Sequence, residues 1–344
     1  MKSSKIITLL ISSLLFMNLM TFGQKGFAVV FYNVNNLYDT INQPDVADDE
    51  YTPASGKQWN TTKYNTKLNN IAKVISSVNA PGLPEIVGLA EVENKNILKD
   101  LVANPLLKSG NYQIVHEESP DRQGLDVAFL YKKGFFRYLS HKKIPIDPKL
   151  DSALYLRDIL YVKGIVNKID TLHIFINHWK SRKEGSKKTE SIRVFSAKVL
   201  EKQVDSLIKL NKKSKIIVMG DFNDEPTDKS LFKTLDGTNR RKNTTNSELY
   251  NLLYDKHNIG NEGTFYYKNQ WFMFDQILIS QGLLKTKHGL ITDHDAGKIF
   301  KPEWLLIKNP KDNKVIPYAT FAGSKYLGGF SDHLPVYFIL KTKK

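Results

Sequence analysis

The sequence contains no cysteine, which excludes a disulfide framework, a lipoprotein attachment site and a thiol nucleophile. Acidic residues are scarce relative to basic ones: 35 Asp and Glu stand against 50 Lys and Arg, a formal charge of +15. That imbalance disfavours a cationic partner and favours polyanions, nucleic acid first among them. Internal repeats and low-complexity linkers are also missing, so nothing divides the chain into an array or marks a domain boundary. No apolar run reaches the roughly 20 residues that a membrane span needs. The nearest approach, Ile6 to about Met20, follows Lys2 and Lys5 and precedes the small residues Thr21 and Gly23. This is the pattern of a secretory signal peptide cleaved near Gly23. The expected organisation is a leader over residues 1–23 and one domain over 24–344, secreted or periplasmic, without stable membrane insertion once the leader is gone, and monomeric. Loss of Lys2 and Lys5 with the leader leaves 15 − 2 = +13.

What is present is an alternation of helix-period and strand-like segments along nearly all of the chain, which predicts an α/β or α+β layered fold. "GFAVVFY", "PEIVGLAEVEN", "YQIVHEE", "GLDVAFLYKK", "KIIVMGDFND", "FMFDQILIS" and "DHLPVYFIL" read as strands. "RDILYVKGIV" and "DTLHIFINHW" read as a hairpin. Tyr64, Leu68, Ile71, Ala72, Ile75 and Val78 recur at helical spacing. A short helix is expected over about Ile97–Leu107 and a long one over about Lys187–Leu210.

Side chains alternate faces along a strand, so residues two apart look the same way. On that parity Val29 and Phe31 lead to Asn33 and Asn35; Val87 and Leu89 lead to Glu91. Leu172, Ile174 and Ile176 lead to His178, and Ile217 and Met219 lead to Asp221 and Asn223. Each apolar stripe ends in a polar group, the arrangement expected of a cleft shared by several strand ends. Taken singly these residues have plainer roles: Glu91 as the cap of the next helix, the asparagines as turn residues, His178 as a satisfied core histidine. "FDQILIS" adds Asp275 and "SDHLPV" adds Asp332 and His333, each at the opening of a strand. A carboxylate beside an imidazole fixes its tautomer and raises its basicity. Dispersed carboxylates, amides and histidines without a Ser or Cys nucleophile motif suit a hard cation and a phosphate rather than acyl transfer, with Glu91 the obvious ligand for Mg²⁺.

The stretches "FYNVNNLYD", "GLAEVEN", "RQGLDVAFLY", "FINHWKSR", "VMGDFNDEP", "FDQILIS" and "GFSDHLPV", in this order, resemble the endonuclease/exonuclease/phosphatase superfamily, the fold of pancreatic deoxyribonuclease and abasic-site endonucleases, and most closely its secreted bacterial nuclease-like branch. The resemblance implies a four-layer α/β/β/α sandwich of two mixed sheets packed face to face, with the active site at one edge. It implies Mg²⁺ as cofactor, with Mn²⁺ or Ca²⁺ as alternative ions, and Glu91, Asn35 and Asp332 as residues near the metal; Asn35 stands where relatives often carry Asp. It further implies that Asn33 orients Asp221, that His178 bonds the scissile phosphate, that Asp221 and Asn223 align water and phosphate, and that Asp275 orients His333. Whether Asp221 or His333 takes the proton stays open. Arg157, Arg182 and Arg193 are implied as phosphate or backbone clamps.

The function so implied is in-line hydrolysis of a nucleic-acid phosphodiester by water. A phosphoesterase acting on lipid or inositol phosphates is the alternative, because fold does not choose between them; a catalytically dead polyanion-binding module is a third. Two further acidic stretches, "DVADDE" and "TDHDAG", have the composition of a metal loop without its ligand spacing and read as solvated loop and turn, and Trp179 and Trp271, beside the site motifs, are placed to stack bases or to pack as core or rim.

Overall fold

The computed structural model describes residues 26–147, 155–166, 168–242, 244–260, 262–309 and 312–344. The expected leader lies outside the described residues, among which no helix is long and apolar enough to cross a membrane.

Two mixed sheets form the framework. In the first, β1 (Phe27–Leu37) runs parallel to β2 (Ile86–Val92) and antiparallel to the C-terminal strand Val336–Lys343. Beyond β2, β3 (Tyr112–His116) forms the edge and β4 (Asp126–Lys132) lies between them. The second sheet orders β5 (Phe136–Ile144), β6 (Ile159–Val166), β7 (Asp170–His178) and β8 (Lys215–Asp221), then Asp275–Ser280 and two short strands. β6 and β7 make the expected hairpin, and β7 and β8 are parallel.

Val29 and Phe31 from the first sheet meet Ile174, Ile217 and Met219 from the second in a common core. The opposite faces are covered by helices. Helices α1 (Thr61–Ser77) and α2 (Lys95–Ala103) bury Ile71, Ile75 and Leu101 against Val30, Tyr32 and Leu89. Helix α3 (Ser186–Leu210) lays Ala197, Leu200 and Val204 on Phe175, Ile216 and Val218. With both faces covered, β8 is buried throughout, which is why its sequence is an unbroken apolar run rather than an alternation. Each such side chain contributes about 1.5–3 kcal/mol on burial. The molecule is the four-layer sandwich of two mixed sheets expected from its motifs.

The parallel pairs β1/β2 and β7/β8 bring their C-terminal ends to the edge of the sandwich where the polar residues gather. Gly220 permits this at one point: a Cβ there would lie 2.4 Å from the Asn177 backbone oxygen, so only glycine lets β7 and β8 approach where His178 pairs with Asp221.

One strand departs from parity. Val87 and Leu89 face the helices, while Ile86 and Ala90 face the other sheet. A side chain continuing the stripe of Val87 and Leu89 would therefore point away from the cleft. Glu91 instead sits in a bulge with φ of 65°, flanked by a register shift against both β1 and β4. The extra residue re-aims its carboxylate toward the sheet edge. Nor does Glu91 cap α2: the Asn94 side chain accepts from the N–H groups of Asn96 and Ile97.

Candidate active site

Asn33 ends the inter-sheet stripe of β1 and is fully buried. Its Nδ2 donates to Glu91 Oε1 at 3.0 Å and to Asp221 Oδ2 at 2.9 Å, while its Oδ1 accepts the Asn35 N–H at 2.9 Å. One amide thus joins carboxylates from the two sheets, a place where a third carboxylate would add repulsion and a hydrophobe would take this donor from one oxygen of each. Asn35 and Asn36 adopt φ of 52° and 57°. In that left-handed turn, which asparagine tolerates better than most residues, the Asn36 N–H donates to Glu91 Oε2 at 2.9 Å.

His178 closes β7 with Nε2 3.7 Å from Glu91 Oε1 and 3.6 Å from Asp221 Oδ2. Burial, with the charges of Arg157 and His333, holds its imidazole well below the usual range, so it is neutral. Opposite it, His333 Nδ1 lies 2.7 Å from Asp275 Oδ2, and its Nε2 lies 3.9 Å from Asp221 Oδ2 and from Asp332 Oδ1. Burial opposes a charge on His333, but Asp275 and Asp221 outweigh it and hold the ring well above its ordinary value, as imidazolium. Ser331 pins this loop: its Oγ donates to the Asn33 carbonyl at 2.8 Å and accepts the His333 N–H at 3.1 Å.

Asp221 lies between the two imidazoles. Its Oδ1 accepts the Asn223 N–H at 2.9 Å, and the Asn223 side chain donates to the Trp179 carbonyl at 3.1 Å. Burial pushes the Asp221 carboxyl up to about 7; the His333 charge opposes the shift, and Asp275 adds to it. Glu91, His178, Asp221, Asn223 and His333 open on a groove of about 710 Å³ that is also lined by Asn35, Asp332 and Arg157. Asp332 Oδ1 is buried without a hydrogen-bond partner among the described residues. That orphaned oxygen, with the carboxylate oxygens of Glu91, is the donor chemistry a hard divalent ion takes; Glu91, His178 and Asp221 also lie close enough together to share an ion.

The arginines divide. Arg157 stays on the groove wall, held by the Leu125 carbonyl at 3.0 Å and Asp121 at 3.2 Å. Arg182 also borders the groove, but donates to the Asn223 carbonyl at 2.6 Å, to Asp224 at 2.6 Å and to Asp228. Arg193 is not a phosphate clamp. It is buried under the loop, with Nε 2.6 Å from Asp224 Oδ1 and further bonds to the carbonyls of Lys180 and Ser186 and to Thr189. Asp224, unremarked in the sequence, is the buried hub that fixes the loop carrying Asp221, and Ser230 completes its shell at 2.6 Å. Arg193→Ala leaves Asp224 short of its buried partner. Such a loss costs about 3–5 kcal/mol, and urea denaturation is expected to show it; a change within error would remove Asp224 from this role.

The aromatic wall was also missed. Trp179 is packed edge-on against Phe222, and Trp271 edge-on against Tyr266. The rings that line the groove are Phe265, Tyr267, Phe272 and Phe274. Their period-two spacing in "FYYKNQWFMF" is the signal that could have found them. Phe265 stacks on His333 with centroids 4.7 Å apart.

The pattern of the endonuclease/exonuclease/phosphatase family matches residues 28–342. The chain belongs to this family. It is accordingly a metal-dependent hydrolase of phosphoric ester bonds. Solved structures of like fold include D. rerio TDP2 complexed with single strand DNA product, at 15% identity and TM-score 0.55, covering 92% of this chain and 99% of that one. The human Nocturnin catalytic domain with bound sulfate anion gives 16% identity and TM-score 0.55, covering 92% and 94%. An endonuclease/exonuclease/phosphatase family protein from Bacteroides thetaiotaomicron gives 15% and 0.55, covering 92% and 97%. At such identities the likeness is one of fold. No curated protein matches the sequence.

Proposed function

We propose that this family member is an exported, Mg²⁺-dependent nuclease that hydrolyses DNA or RNA phosphodiesters with an activated water. The observation that carries the reading is the Asn33 amide tying Glu91 to Asp221 between a neutral and a charged imidazole. Glu91 and Asp332, with Asn35 beside them, would hold the ion. When bound, Mg²⁺ supplies charge neutralisation on phosphate oxygens.

The protein's own groups do the rest. Asp221, its carboxyl held near neutrality, takes the proton of the attacking water. His333 keeps its proton and donates from Nε2 to an oxygen of the phosphate, so its role is donor rather than base. Asp275 keeps that ring charged and oriented. Neutral His178 donates to a second oxygen, and Arg157 beside it offers charge to the flanking backbone. Donors aimed at charge that develops during reaction accelerate it without reorganising.

Nucleic acid is favoured over smaller phosphoesters by the charge of 15 − 2 = +13 left after loss of Lys2 and Lys5 and by the ring-lined wall, since bases stack on exposed aromatics. Single-stranded DNA bound to the like-folded D. rerio TDP2 agrees with it. The test incubates the mature protein, with Mg²⁺, separately with supercoiled plasmid, single-stranded DNA, RNA, phospholipid and sugar phosphates. Nicking or shortening of a polynucleotide that chelator abolishes is the expected result. Turnover confined to lipids or sugar phosphates would overturn the nuclease, and salt-sensitive DNA binding without turnover would leave only a polyanion-binding module. Recovery of the protein from the cell exterior, lacking its first 23 or so residues, is expected; retention in the cytosol counts against export.

A further inference from the structure

A second cluster of metal-binding groups lies apart from the groove residues. His116 ends β3, and Asp126 opens β4 on the neighbouring strand; their side chains are 2% and 1% exposed. His116 Nε2 and Asp126 Oδ2 face each other at 3.4 Å, and neither has a hydrogen-bond partner among the described residues. A direct N–H···O bond would bring them to about 2.7–3.2 Å. Two donors held about 2.0–2.2 Å from one ion at a tetrahedral angle lie about 3.3–3.6 Å apart. The observed gap therefore suits a shared ion better than a shared proton.

The rest of the cluster is arranged to match. The other oxygen of Asp126 is pinned by Ser119, whose N–H donates to it at 2.9 Å and whose hydroxyl donates to it as well, so Oδ2 is the free atom. A ligand carboxylate secured through its second oxygen is the usual support of a metal site. Glu118 stands beside the ring's other nitrogen, with Oε1 3.9 Å from His116 Nδ1, and its side chain, 66% exposed, has room to turn toward the Nε2 side. Single ligand atoms of the three residues lie within 4.8 Å of one another. Lys143, the neighbouring cation, is occupied by the Glu118 carbonyl at 2.9 Å and by Asp158 at 3.9 Å.

We propose that His116, Asp126 and Glu118 form a second divalent-cation site, separate from the groove and suited to a first-row transition ion such as Zn²⁺. One imidazole nitrogen with two carboxylates favours Zn²⁺ over the oxygen-seeking Mg²⁺ and Ca²⁺. The segment between the ligands contains Asp121 and Leu125, the two groups that hold Arg157 on the groove wall. An ion here clamps both ends of that segment.

The test separates this site from the groove by working in a Glu91→Gln background. Protein stripped with chelator is dialysed against buffered Zn²⁺ in the presence of excess Mg²⁺, and bound zinc is measured by mass spectrometry together with the thermal midpoint. Expected are about one retained Zn²⁺ and a raised midpoint, both lost on adding His116→Gln, with Glu118→Gln weakening Zn²⁺ about 10- to 100-fold. Because Glu118 is exposed, that variant remains informative if His116→Gln fails to fold. No Zn²⁺ retained by Glu91→Gln, or retention indifferent to both further substitutions, would make the His116–Asp126 contact an ordinary ion pair and end the proposal.

Discussion

Asp221→Asn is expected to lower kcat about 10³- to 10⁴-fold on any substrate the enzyme turns over, with KM little changed. Asparagine matches Asp221 in size and keeps an acceptor for one of its two donors, the Asn33 amide on Oδ2 or the Asn223 N–H on Oδ1, while the proton acceptor is lost. The pH profile gives an independent check. The Asp221 carboxyl, raised to about 7, is protonated below that pH and cannot accept a proton, so kcat/KM rises as pH climbs through this region. His333 is held above its ordinary value, so it stays charged across neutrality and produces the falling limb only at higher pH. In Asp221→Asn the rising limb disappears while the falling limb stays. An unchanged rising limb in the variant would assign the proton transfer elsewhere.

The second large effect is metal removal. Chelation is expected to cost at least about 10³-fold in rate, restored by Mg²⁺. Glu91→Gln keeps an acceptor for the Asn33 amide but removes the negative charge; its activity should fall comparably and need about 10- to 100-fold more Mg²⁺ for half-maximal rate. A Mg²⁺ titration that superimposes on that of the unmodified enzyme would show that Glu91 is not a ligand and leave Asp332, whose buried oxygen has no hydrogen-bond partner among the described residues, as the carboxylate that holds the ion.

The sandwich was legible because both sheets are built from conventional strands, whose apolar runs and alternations report burial directly. Parity located Asn33, His178 and Asp221 because β1, β7 and β8 stay regular up to those residues. It placed Glu91 in the cleft by a wrong route, because β2 does not: Val87 and Leu89 face the helices, and Glu91 reaches the cleft through the bulge with φ of 65°, which no glycine announces. Arg193 shows a different limit. Its motif places it as a phosphate or backbone clamp, and only the fold reveals that Asp224, 31 positions later in the sequence, lies 2.6 Å from its guanidinium. The pairing of His116 with Asp126 was equally hidden, since it depends on two strands lying side by side rather than on any motif spacing.

Phe265 touches His333 in two ways, by ring stacking and by a backbone bridge between the two residues. The adjoining Thr264 carries the connection further, accepting the Leu334 N–H at 2.8 Å through its carbonyl and the Asp275 N–H at 3.1 Å through its hydroxyl. The wall that would meet a nucleobase and the proton donor that would meet its phosphate are therefore one mechanical piece. Removing the Phe265 ring would therefore loosen the donor along with the wall, so Phe265→Ala is expected to lower turnover as well as affinity.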